Sequence, residues 1–388
     1  MRLDISDLPI ADFHCFSFPA RRKLTRGTFA KIFMSGGPTV MGVTRRVQEE
    51  DLATTVAYRR MIHELSLLLR CKDEDAFLLA SRNEKAEDFR GYVRLLFDDA
   101  KIEHLFLDSG LEPVSFETFG SYAPGRLHRV LRIEPLLKRL LESSKTFGEL
   151  VNSFDDEILS AVRRNGFVGF KSVIAYRTGL DVTASNETEA KRSFRDFKEG
   201  DEPIEWFGPR VKPLRDFILG CVAERTQKLG VFLQIHTGIG DTDIIAERCD
   251  PLLLKNFLKS ESVSRIPVIL IHGGYPYTLE AAWLANVFPN VFFELSTPLP
   301  PYFLPALSKA RFSEALEMVP TTRLIYGSDA HDAPEMHWMS ARFAKRALAE
   351  AMEDLVSARL LDEDEAVRAS RGILSKNALG LLQSANSR

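Results

Sequence analysis

Val231–His236 reads VFLQIH, and Val268–His272 reads VILIH. Each is a short, nearly continuous apolar run stopped by a histidine. Such a run suits a strand of a parallel sheet, buried on both faces. Six further runs share this character: Ile10–Phe16 (IADFHCF), His104–Ser109 (HLFLDS), Val130–Glu134 (VLRIE), Gly166–Ala175 (GFVGFKSVIA), Val291–Ser296 (VFFELS) and Arg323–Asp329 (RLIYGSD). Amphipathic segments such as Arg215–Leu229 and Thr278–Phe288 lie between them. Alternating strands and helices mean an α/β fold, and eight strands favour a closed (β/α)8 barrel of the TIM type over an open sheet. No G-x-G-x-x-G follows the first run, which weighs the same way.

The rest of the chain is compatible with one barrel domain over 1–388. Two stretches exceed a minimal barrel. Residues 17–103 separate strands one and two and contain helical patterns over Val47–Arg70 and Asp75–Asp98, which we read as a helical insertion packed over the barrel mouth. Residues 178–213 are polar, with Pro203, Pro209 and Pro213, and are expected to form a lid or substrate-facing loop. Arg342–Leu382 reads as closing helices. The 388 residues are 45% hydrophobic and 27% charged, with a formal net charge of -3. That is an ordinary enzyme-like composition, and no basic block suits a nucleic acid. No run is apolar and long enough for a membrane span, and Met1–Ala11 lacks a secretory pattern. Cys15, Cys71, Cys221 and Cys249 form no C-x-x-C pair and read as thiols of a reducing compartment, which makes the cytoplasm the expected location. A small-molecule substrate is the expected partner, with self-association left open.

Polar residues interrupt the apolar runs where chemistry is expected. His14, His236, His272 and Asp329 end strands one, five, six and eight, and Lys171 lies in strand four. In a barrel all C-terminal strand ends share one mouth. Period-two alternation places His236 with Gln234 and Phe232, Asp329 with Gly327 and Ile325, and Lys171 with Gly169 and Phe167. Histidines with a carboxylate make a ligand set for zinc, manganese or iron(II), and an open position there can lower the pKa of a bound water to about 7. Asp329 is the expected ligand and proton acceptor. His63, His104, His128 and His337 lack such placement and read as structural or surface residues. His331, two past Asp329, is a further pocket candidate.

The sequence resembles the amidohydrolase superfamily, in particular an amidohydrolase-related group that includes the N-terminal half of fungal and plant proteins fused to a glutamine-synthetase-like domain. The likeness is carried by DFHCF (Asp12–Phe16), LFLDSGL (Leu105–Leu111), VLRIEPLL (Val130–Leu137), GFKSVIAYRTGL (Gly169–Leu180), QIHTGIGD (Gln234–Asp241), LIHGGYPY (Leu270–Tyr277) and YGSDAH (Tyr326–His331). It implies a barrel with metal ligands from an H-x-H on strand one, a histidine on strand five and an aspartate on strand eight. These fall on His14, His236 and Asp329. The strand-six His272 is then a ligand or a helper of the transition state, and Lys171 a metal bridge or a substrate contact. The second histidine of H-x-H is Phe16 here, which cannot ligate.

Three readings stay open on sequence alone. The first is a metal-dependent hydrolase of a C–N amide-type bond in a small carboxylate-bearing substrate, with one divalent ion, zinc or manganese. In it Asp329 moves the proton, His272 steadies the oxyanion, and Arg177, Lys171 and Tyr275 contact substrate. The second is a metal-dependent decarboxylase or isomerase of a carboxylic acid. The third is a non-catalytic ligand-binding barrel that lost its site with Phe16.

Overall fold

The computed structural model describes residues 3–32, 53–183, 186–200, 209–240, 244–296 and 305–386. All eight runs form strands: β1 (Ile10–Cys15), β2 (Ile102–Asp108), β3 (Arg126–Arg132), β4 (Phe167–Ser172), β5 (Phe232–His236), β6 (Val268–Ile271), β7 (Val291–Glu294) and β8 (Leu324–Ile325). They pair in sequence order, each parallel to the next. The β8 end meets β1 through Phe13 N–H to Tyr326 O (3.1 Å), Asp329 N–H to His14 O (2.8 Å) and Phe16 N–H to Ala330 O (2.9 Å). The result is a (β/α)8 barrel. Its interior is filled by Ala11, Phe13, Phe106, Val130, Phe232, Ile269, Ile271 and Ile325, with Ala378 and Leu381 of the C-terminal helix packed into the same cluster. The outer faces of the strands, Ile10, Leu233, Leu270, Phe293 and Leu324 among them, belong to a second, larger core shared with the helices.

Strand one departs from strict alternation at a decisive place. Ala11 and Phe13 fill the barrel, so period two would turn His14 outward. The register against β2 slips here: Asp12 lies opposite Leu105, and Cys15 opposite Leu107. The extra residue is a β-bulge, which re-aims the chain and swings His14 inward. Gln234 supports the bulge from across the barrel, donating its side-chain amide to Phe13 O at 2.8 Å. Outside the barrel, Asp12 accepts the Ser328 N–H (2.8 Å) and hydroxyl (2.5 Å). Asp12 is 1% exposed, so these bonds form away from water.

The structure also corrects several boundaries. The third strand begins at Arg126, not Val130, and Ile133–Glu134 open a helix that runs to Ser143. The interspersed Arg126, His128 and Arg129 hid its first half. Strand eight leaves the ladder after Ile325, and Tyr326–Asp329 continue without it. The first helical pattern appears as Val56–Leu69, capped by Thr55; residues 33–52 lie outside the described residues. The second splits into Asp75–Lys85 and Phe89–Ala100, because the Asp88 side chain caps a new helix at Gly91 N. Phe89–Ala100 is tied to the helix Pro334–Ser357, where Trp338 Nε1 and Arg342 Nη1 each donate to Asp99 at 2.7 Å. Residues 178–213 contain the helix Glu187–Glu199 and the start of Lys212–Leu229, with 184–185 and 201–208 outside the described residues. All four cysteines are free thiols. Among the described residues no helix is long and apolar enough to cross a membrane.

Asp12→Ala would leave two buried Ser328 donors unpaired, and hydrogen bonds to a charged group are worth about 1.5–3 kcal/mol each. We expect a loss of about 2–5 kcal/mol in urea unfolding. A loss below about 1 kcal/mol would show that the Asp12–Ser328 contact does not lock the β1–β8 seam.

Candidate metal centre

Each strand delivers a polar side chain at or just past its C-terminal end: His14, Asp108, Arg132, Lys171, His236, His272, Glu294 and Asp329 in order around the barrel. His14 Nε2 lies 3.0 Å from Asp329 Oδ1 and 3.5 Å from Lys171 Nζ. His272 Nδ1 lies 3.9 Å from Asp329 Oδ2. One ligand atom each from His14, His272 and Asp329 fall within 4.8 Å of one another. His236 stands just beside this group, with its ring 4.4 Å from that of His272. Its Nε2 is buried without a hydrogen-bond partner. An orphaned imidazole nitrogen next to two histidines and a carboxylate fits a transition-metal ion.

Two of these residues sit in left-handed backbone, His272 at φ 73° and Asp329 at φ 54°. Such a conformation costs a non-glycine residue about 1–2 kcal/mol. Each is held by a specific bond: Asp329 N–H donates to His14 O, and His272 N–H donates to Glu294 Oε2 at 3.0 Å. Gly274 (φ 63°) completes the turn after His272, and a Cβ there would stand 2.8 Å from Ala281 Cβ and 2.9 Å from Pro251 Cγ. At Gly327 a Cβ would stand 2.0 Å from Glu294 Oε1, so the missing side chain is the space that Glu294 occupies.

Glu294 is fully buried, and burial pushes its carboxyl up to about 8. The Ser296 hydroxyl lies 2.7 Å from Glu294 Oε2 and 3.0 Å from His272 Nδ1. With the carboxylate ionised, the hydroxyl donates to it and accepts from Nδ1–H, leaving a lone pair on Nε2 of His272. The three histidines are driven toward their neutral forms. Burial and then Lys171 lower His14 and His236, and burial and then His236 lower His272. Neutral imidazole is the form that ligates a metal. Burial also brings Lys171 down to about 8, against the pull of Asp108. For Asp108 burial acts upward, but Arg132 and then Lys171 outweigh it and hold the carboxyl low.

A family model described as Amidohydrolase matches residues 148–383. The chain belongs to the amidohydrolase family. Protein fluG of Emericella nidulans is 30% identical over 399 residues, covering 95% of this chain and 45% of that protein, so the chain spans less than half of that relative's length. A protein from Lactobacillus casei, described as a candidate metal-dependent hydrolase, superposes with a TM-score of 0.84 at 26% identity, covering 99% of this chain and 98% of the other. Uronate isomerase from Thermotoga maritima shares the fold, with a TM-score of 0.72 at 14% identity over 97% of this chain and 95% of that one. Amidohydrolase membership and the metal-dependent neighbour imply a metal for this barrel.

Within the amidohydrolase barrel, then, His14, Lys171, His236, His272 and Asp329 come together. Phe16 lies beside them, its ring 5.3 Å from that of His14 and edge-on to it. Arg177 sits on the turn after β4, where its Nη1 donates to Tyr176 O at 3.3 Å. Tyr275 places its ring beneath the Arg311 guanidinium at 4.1 Å. His331 pairs with its neighbour Asp332. Sequence reasoning missed Asp108, Arg132 and Glu294, although each ends its strand as His236 does. It also missed Tyr176, whose ring stands 4.5 Å from that of His236. His337 is fully buried beside Phe18 and Phe97, with Nδ1 3.6 Å from Asp12.

Glu294 yields a pH-dependent prediction. Its folded pKa of about 8 lies above the ordinary 4.5, so the protonated form favours the fold. Its contribution is fully present below about 4.5 and is lost as pH rises through about 8. Glu294→Gln removes this dependence, so the variant should gain on the wild type between pH 5 and 8.5 in thermal unfolding. A stability difference that stays constant across that range would show that Glu294 does not titrate there.

Proposed function

We propose that the chain is a metal-dependent hydrolase of a C–N amide-type bond in a small, carboxylate-bearing substrate. The supporting observation is the meeting of His14, His272 and Asp329 at the barrel mouth, with the orphaned Nε2 of His236 beside them. His14, His236 and Asp329 would hold a divalent ion, zinc or manganese by ligand type, with His272 adjacent. Bound there, such an ion polarises a carbonyl and brings the pKa of a water near 7. Asp329, 15% exposed against 1% for His14, is the carboxylate open to solvent and the natural acceptor of the water's proton. His272, beside Asp329 and held at Nδ1 by Ser296, would steady the developing oxyanion. Lys171, buried and 3.5 Å from His14 Nε2, would contact the substrate. Phe16 fills the position of a missing ligand, so the ion would be held by fewer protein groups than the family pattern provides.

The purified protein should contain about one equivalent of a divalent transition metal, reduced in His236→Ala. Turnover should appear in a panel of γ-glutamyl amides in preference to aromatic and sugar acids. Asp329→Asn is the mildest probe of the base, since Asn tolerates the left-handed backbone at this position but cannot take a proton. It should cost 10²-fold or more in kcat, the usual scale for a general base. Absence of metal after reconstitution, or an Asp329→Asn variant that keeps more than about a tenth of the wild-type kcat, would overturn this reading.

A further inference from the structure

Arg132, at the end of β3, gives one edge of its guanidinium to Asp108. Its Nε donates to both oxygens of Asp108, at 3.0 and 3.1 Å, and its Nη2 donates to Oδ2 at 2.5 Å. Asp108 is sealed from solvent, whereas the Arg132 side chain is 16% exposed. Nη1 makes no hydrogen bond among the described residues and is not among the buried unpaired atoms. The guanidinium carbon lies 5.6 Å from the centre of the Phe16 ring, which in turn stands 5.3 Å from the His14 ring. A Cβ at Gly110 would fall 2.0 Å from Arg132 Nε, so the glycine leaves the room in which the guanidinium lies. Asp108, Phe16 and Gly110 thus fix a guanidinium with one edge left over, within about 11 Å of the His14 ring by these two spans.

We propose that Arg132 is the anchor for a substrate carboxylate, and that Phe16 serves the anchor rather than the metal. This rests on the reading of the mouth as a hydrolase site. A planar guanidinium presents parallel N–H donors that match a carboxylate, and one already locked by a buried partner loses little entropy when it binds. Asp108 lies beside both buried cations, Arg132 and Lys171, and occupies only one edge of the guanidinium. The substrate class is then a carboxylic acid with its amide a few bonds away, the carboxylate on Arg132 and the amide carbonyl toward His14 and Asp329. This role takes the place of the one expected for Arg177, whose Nη1 turns to the Tyr176 carbonyl.

The test is calorimetric titration with glutarate and its neutral analogue glutaramide, on the protein as purified and after metal chelation. Glutarate should bind in both preparations and glutaramide at least tenfold more weakly. Arg132→Lys should weaken glutarate binding by tenfold or more, because lysine keeps the charge and loses the fork. Removal of Arg132 alone would strand the buried Asp108, so the paired variant Arg132→Gln/Asp108→Asn serves as the fold-preserving control, checked by circular dichroism and metal content. It should lose the preference for glutarate and keep its metal. Glutarate affinity in that variant within threefold of wild type, equal binding of glutarate and glutaramide by the wild type, or tighter binding of inorganic phosphate than of glutarate would each overturn the proposal. Failure of the hydrolase reading has a different signature: absent metal or absent turnover with the Arg132-dependent glutarate binding intact.

Discussion

The mouth of this barrel depends on the seam between its first and last strands. Asp12 takes both donors of Ser328, and the next residue, Asp329, gives its N–H to the carbonyl of His14. Two residues proposed to share an ion are therefore already joined by the backbone. The bulge at Asp12–Cys15 turns His14 toward the interior, and the Gln234 amide satisfies the carbonyl of Phe13 within it. Without that extra residue the strand would send His14 into the helical layer. The metal geometry is thus a property of a register slip as much as of a ligand type.

Burial sets the chemistry that follows. Burial, with Lys171 nearby, drives the three histidines toward their neutral forms, and burial pushes the Glu294 carboxyl up to about 8. Left-handed backbone at His272 and Asp329 is compensated by hydrogen bonds at those same residues. Strain at paired, functionally placed residues is a common way to fix a side chain that free rotation would blur. Glu294 takes part in both effects, holding the strained turn and, through Ser296, setting the tautomer of His272.

Much of this was legible in the sequence. The eight apolar runs marked the strands because parallel strands are apolar on both faces, and the histidines ending VFLQIH and VILIH marked the mouth. Alternation predicted the inward face correctly on β5 and β8, where Phe232 and Ile325 share the interior cluster. It could not predict β1, because a bulge has no fixed sequence signature and His14 faces inward only through it. Nor did it select Asp108, Arg132 or Glu294. The rule that strand ends carry the site applies to them equally, but the runs HLFLDS, VLRIE and VFFELS extend one or two residues past the true strand ends, which leaves these three inside the run rather than at its end. The missing half of β3 shows another limit: charged residues along a strand whose neighbours are buried look like a loop.

The C-terminal helix contributes Ala378 and Leu381 to the cluster that fills the barrel around Phe13. The first strand and the last helix, almost the full length of the chain apart, therefore share one interior. Contacts of such long sequence separation carry the highest loop-closure cost and form late. On the ribosome, β1 would emerge long before the residues that complete its packing, and its apolar face would wait until they follow. Until residues 377–386 are made, the interior around Phe13 lacks part of its packing.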